Sequence, residues 1–293
     1  MNTAIYKGGV AIKIGLSQMV GDMKFVKEYI NSYGDLARAC LAALIYLQNT
    51  AQDNGIGFIE FGFPPKSFGT LDKFQNSRAM SRQLNKMRRK FNCSVHQQML
   101  NLAAPDELQR RANVELLLEG FKYAMLHGLN EPDSVHVLHL AGSPGRQPNT
   151  PVAAEKSLRE IVITLKKMGF LGQIGLENMT PGDGVFTNPV STQHLIGGQI
   201  KRVIDTGHDS ACGHDPVRHI LELGYSVCEI HLVDTAGSAN HCVLGAGVVD
   251  IPGVLAAIRT IEREYGREIR VIVEVGGHDF KPSWGYLKKI KCV

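Results

Sequence analysis

Short runs rich in Val, Ile, Leu and Phe recur along the chain, and longer stretches with helical spacing of apolar positions lie between them. The runs are Ile12–Leu16, Gly57–Phe61, Cys93–His96, Val135–His139, Gln173–Glu177, Arg202–Asp205, Cys228–His231 and Arg270–Glu274. Most are apolar nearly throughout, as strands covered on both faces should be. Pro105–Leu126, Ala153–Met168 and Ile251–Tyr265 predict helices, and two of them have good starts. Pro105-Asp106-Glu107 puts a proline and acids in a first turn, and Asp250-Ile251-Pro252 offers an N-cap with proline just inside. Eight strands alternating with helices predict one parallel sheet, and eight is the number that closes. The expectation is an α/β chain forming a single (β/α)8 TIM barrel, one domain over residues 1–293. An open doubly wound sheet is the alternative. No Gly-rich loop follows the first strand, which disfavours that alternative and a nucleotide cofactor with it.

The polar positions that interrupt this pattern fall at the strand ends. The third strand ends in His96, the fourth in His139, the fifth in Glu177, the sixth in Asp205, the seventh in His231 and the eighth in Glu274. His208 follows three residues after Asp205, and His241 ten after His231. Taken singly, such a carboxylate reads as a helix N-cap and such a histidine as a satisfied rim residue. Together they crowd the end of a barrel where chemistry is placed, and a divalent cation is the simplest relief for carboxylates held that close. Imidazole and carboxylate without thiolate suit Zn2+, Mn2+, Co2+ or Fe2+ and argue against Ca2+.

Composition narrows the picture a little. The six cysteines include no C-x-x-C pair, so they read as reduced thiols of a cytoplasmic protein, not as a disulfide framework or thiolate zinc site. Met1 to Gly15 lacks the design of a signal segment, and the most apolar stretch, Cys40–Leu47, is too short to span a bilayer, so no membrane partner is expected. The net charge of +4 is too slight to argue for nucleic acid. The one concentrated basic run, Lys86–Lys90, precedes the third strand and reads as a solvated helix face leading away from the mouth.

At the strand ends the chain resembles the xylose isomerase-like TIM barrel superfamily, which holds sugar isomerases and epimerases together with endonuclease IV (AP endonuclease family 2). The strings that carry the resemblance include Ser94-Val-His-Gln-Gln-Met-Leu-Asn-Leu, Gly175-Leu-Glu-Asn-Met-Thr-Pro-Gly-Asp-Gly, Val203-Ile-Asp-Thr-Gly-His-Asp and Asn240-His-Cys-Val-Leu-Gly-Ala-Gly. They run in order from about residue 90 to residue 275. The resemblance implies one divalent metal held by Glu177, Asp205, His231 and Glu274 and, in its nuclease branch, a second metal with His96 and His139 as ligands. His208, His241 and Asp234 would bind a further metal or the substrate.

Two enzymes compete within that resemblance. An isomerase or epimerase of a sugar or sugar-derived carbonyl compound would work by proton transfer through an enediolate. Glu177 and Glu274 would be its proton shuttles, and His208 would hold a substrate oxygen. An endonuclease IV-like phosphoesterase would act on abasic DNA with the extra histidines as ligands. The nuclease pattern also has an Asp where Ala239 stands, and a histidine at the end of strand one where Ser17 stands. Strand two, Gly57-Phe-Ile-Glu-Phe-Gly, resembles the Glu-bearing second strand of the sugar enzymes. The isomerase reading leads, with a small sugar-like molecule as partner and a homo-oligomer left open. An inactive barrel serving as a binding protein is the third reading.

Overall fold

The computed structural model describes residues 12–17, 36–62, 78–141, 149–183, 185–237, 239–276 and 278–292. Eight parallel strands close into a barrel: β1 (Ile14–Ser17), β2 (Phe58–Gly62), β3 (Asn92–His96), β4 (Val135–Leu138), β5 (Gln173–Glu177), β6 (Ile200–Asp205), β7 (Val227–Leu232) and β10 (Arg270–Val273). Each pairs with its sequence neighbour, and β10 closes the ring onto β1. A small antiparallel pair, β8 (Asp234–Ala236) and β9 (Ala239–Cys242), stands apart from the barrel in the loop after β7. Sequence periodicity does not foresee it, because three- and four-residue strands leave no pattern to read.

The connecting helices are α1 (Leu36–Asp53), α2 (Arg78–Arg88), α3 (Glu107–Leu126), α4 (Pro151–Met168), α5 (Thr206–Ala211), α6 (Pro216–Leu223), α7 (Ile251–Tyr265) and α8 (Phe280–Lys289). Their starts follow local chemistry. Asp106 accepts from the Gln109 amide at 2.7 Å, and Asp250 accepts from Gly253 at 3.0 Å with Pro252 just inside the helix. Each such cap contributes about 1 kcal/mol. Gly169 and Gly266 end α4 and α7 in the left-handed conformation, where a side chain would be strained.

Strand alternation sorts the residues into two environments. Ile59, Phe61 and Val95 turn outward and pack under the helices with residues such as Leu44, Leu47 and Met80. Leu176 does the same further round the barrel, packed with Leu117 and Phe121 of α3 and Ile161 of α4. Glu60, Ser94, His96, Glu177, Glu229 and His231 take the other parity and face the barrel axis. Space there is short. A Cβ added at Gly175 would lie 2.5 Å from Val203, and one at Gly15 would lie 2.6 Å from Ile272. The register sets Asp205 beside His231 and Glu60 between Ser17 and Ser94, so polar inward residues share levels across strands.

Among the described residues no helix is long and apolar enough to cross a membrane. The run Lys86–Lys90 closes α2 at the strand-entry end, away from the strand C-termini; there Arg88 lies 3.9 Å from Glu131.

Candidate metal centre

The strand ends place six side chains around one space. Glu177, Asp205, His231 and Glu274 bring one donor atom each to within 4.8 Å of one another, and all four are buried. His231 Nδ1 lies 3.1 Å from Glu274 Oε2 and 3.4 Å from Glu177 Oε1. His208 Nδ1 is also 3.4 Å from Glu177 Oε1, while the other oxygen of Glu177 lies 2.8 Å from His139 Nε2 and 3.4 Å from His96 Nε2. One carboxylate therefore sits between two groups of imidazoles.

Local structure explains how each donor is aimed. Asp205 ends β6 and is the N-cap of α5, so its Oδ1 accepts from the His208 amide at 2.6 Å. Its Oδ2 is buried with no hydrogen-bond partner. His231 Nδ1 and His139 Nδ1 are likewise buried without a well-aligned hydrogen bond. Buried polar atoms are nearly always satisfied, so the two orphans that lie among the carboxylates, Asp205 Oδ2 and His231 Nδ1, mark donor positions for a cation. The residues present thus fit a divalent metal with oxygen and nitrogen ligands.

Without an ion the cluster balances its charge with protons. Burial alone would raise the Glu177 carboxyl, but His139 and His231 outweigh it and hold Glu177 well below the usual carboxylate range. Burial would likewise raise Glu274, yet the His231 imidazole pulls it down to about 2. Burial would lower the histidines, but neighbouring carboxylates raise His96 to about 9 and His208 to about 10, and lift His231 well above its ordinary value. Burial raises Asp205 and Glu60. A bound cation would take over the work of those protons, so metal uptake must release them.

The remaining sequence candidates have different settings. His241 adopts a left-handed backbone, lies against the Glu274 carbonyl at 3.0 Å through Nδ1, and has its ring centroid 6.0 Å from that of His208. Asp234 is fully buried, and its carboxylate accepts from the backbone amides of Thr235, Gly245, Gly247 and Val249 at 2.9 to 3.1 Å. It shapes the loop after β7 by gathering those amides around one carboxylate.

Two residues beneath the cluster were not singled out as site residues by sequence reasoning. Glu60 on β2 and Glu229 on β7 are wholly buried, and they lie 3.1 and 3.4 Å from His231 Nε2. Ser94 donates a short hydrogen bond to Glu229. For Glu229 the signal in the sequence is a charged residue inside an otherwise apolar strand, two positions before the strand-end His231.

The model for xylose isomerase-like TIM barrels matches residues 49–290. A D-tagatose 3-epimerase-like protein superposes with a TM-score of 0.67 at 18% identity, over 96% of this chain and 97% of its own. Endonuclease IV from Thermus thermophilus gives a TM-score of 0.62 at 15% identity, over 94% of this chain and 99% of its own. An IolI protein with a bound zinc atom gives 0.63 at 15%, over 96% of both chains. No match is found among curated proteins by sequence. At these identities the structural likeness speaks for the fold.

Proposed function

The chain belongs to the xylose isomerase-like TIM barrel family, and from that premise we propose that it is a divalent-metal-dependent isomerase or epimerase of a small sugar or sugar-derived carbonyl compound. Glu177, Asp205, His231 and Glu274 hold the metal in this reading. The bound ion supplies Lewis-acid polarisation of a carbonyl and its neighbouring hydroxyl. Glu274 then takes the proton from the carbon beside the carbonyl. Glu177 relays a proton from His139, which touches its second oxygen at 2.8 Å, to the opposite face; between turnovers Glu274 gives its proton to water and His139 takes one back. His208, anchored through Nδ1 to the Asn178 carbonyl at 3.0 Å, presents its other nitrogen to a substrate oxygen.

The observation that carries this reading is the pairing of the buried donor core with the lack of cations in the described segments of the mouth. Among the described residues, the segments that follow the barrel strands at that end (97–106, 139–141, 149–150, 178–183, 185–199, 206–215, 233–237, 239–250, 274–276 and 278–279) contain no lysine or arginine. A groove for duplex DNA must neutralise several phosphates. A small neutral sugar needs none of that. Residues 18–35, 63–77 and 142–148, which follow β1, β2 and β4, lie outside the described residues.

One observation favours a second reading. Glu177 turns one oxygen towards His139 and His96 and the other towards His231 and His208, so the first pair of histidines would be available to hold a second cation. An endonuclease IV-like phosphoesterase would use the two cations together to hydrolyse a phosphodiester. The two readings separate in one experiment. Metal-loaded protein is incubated in D2O with ketoses and their epimers, and separately with an abasic-site duplex at low salt. Deuterium entering at the carbon beside the carbonyl supports the isomerase. Efficient strand incision that weakens steeply with salt overturns it in favour of the nuclease.

A further inference from the structure

We infer that Glu60, seated in the barrel below the mouth, is a positioning residue that sets how His231 offers its ligand nitrogen, with Glu229 and Ser94 bracing the arrangement. The inference rests on the metal-centre reading and adds residues that the strand-end pattern does not contain. An imidazole has two nitrogens, and those of His231 face opposite ways along the barrel. Nδ1 meets Glu274 and Glu177 at the mouth, at 3.1 and 3.4 Å. Nε2 points inward to Glu60 Oε2 at 3.1 Å and Glu229 Oε1 at 3.4 Å.

The two carboxylates are not equivalent. Glu229 accepts from the Ser94 hydroxyl through its other oxygen. Glu60 has His231 as its hydrogen-bond partner, and its Oε1 is buried with none. The Nε2 proton therefore goes to Glu60, the closer acceptor, while Ser94 and the β7 backbone hold Glu229 beside it. A proton fixed on Nε2 leaves the Nδ1 lone pair for a cation, and a carboxylate behind the ring makes that nitrogen a stronger donor. Filling space does not account for Glu60. Its neighbours across the sheet at the same level are Ser17 and Ser94, and an apolar residue of that size would avoid burying a charge.

The test compares wild type with Glu60→Gln, which keeps the shape and removes the charge. Metal-free protein is titrated with Co2+ against a competing chelator, and the visible absorption of the bound ion is recorded with the circular dichroism of the fold. The expected result is a 10- to 100-fold weaker affinity, of order the usual effect of removing a carboxylate behind a ligating histidine, with a changed Co2+ spectrum and an unchanged fold. Affinity within twofold of wild type and a superimposable spectrum would overturn the inference. Should Glu60→Gln fail to fold, 15N-histidine spectra of zinc-loaded wild type decide the matter without a variant. His231 protonated on Nε2 supports the role, and protonation on Nδ1 overturns it. A wild type that binds neither ion would overturn the metal-centre reading itself, a result distinct from a wild type that binds and a variant that binds equally well.

Discussion

His136 and His231 are both completely buried, yet their surroundings drive them in opposite directions. His136 faces outward from β4 into the wall, stacked on Phe121 with ring centroids 5.0 Å apart and edge-on to Phe170 at 4.9 Å. Gln97 donates to its Nδ1 at 2.9 Å, and its Nε2 donates to the Leu129 carbonyl at 2.8 Å. Burial with no carboxylate in contact pushes His136 down to about 4. His231 faces inward among Glu60, Glu177, Glu229 and Glu274, and burial's downward push is overcome. The company a buried histidine keeps, more than its depth, decides whether it is a packing residue or a ligand. Strand parity chooses that company, since one position's slip exchanges wall for axis.

The mouth depends most on the carboxylate that joins its imidazoles. Glu177→Gln should cut turnover on the true substrate by about 10^3-fold or more, while leaving the circular dichroism unchanged, because it alters a strand-end group and no core packing. Near-normal activity would show that the cluster does not work through Glu177. A smaller effect is expected in the wall. The folded state binds fewer protons at His136 than the unfolded chain does between an ordinary value of about 6.5 and about 4. The contribution of His136 is therefore full above about 6.5 and falls away as pH drops towards 4, by roughly 3 kcal/mol in all. Urea unfolding of His136→Gln should show a correspondingly shallower loss of stability over that window. An unchanged slope would mean that His136 is charged in the fold. The smallest effect belongs to the far end of the barrel. Arg88→Gln breaks an exposed contact to Glu131 and should change stability by less than about 0.5 kcal/mol and activity not at all.

The same contrast explains what could be read from the sequence. Gln173–Glu177 and Ile251–Tyr265 match the observed elements end to end, because Gly and Asp punctuate them. His139 and Glu274 fall one residue beyond their strands, though still on the inward side. The strand-end donors were legible because polar residues stand out after apolar runs. Glu229 is hidden in the sequence because it sits inside a strand among Val227, Cys228 and Ile230. Asp234 has the look of a site residue in sequence, but the loop amides that claim its carboxylate come from residues 235 to 249 and appear only when the chain is folded.

In the proposed function the strand-end donors are a cation site, and titration of metal-free protein with Zn2+ against a chelating indicator puts that reading to the test. The expected result is at least one tightly bound ion per chain, with affinity that rises with pH as His231 and its neighbours give up their protons, and loss of that ion in Asp205→Asn. No binding at micromolar Zn2+, or binding that Asp205→Asn leaves untouched, would contradict it.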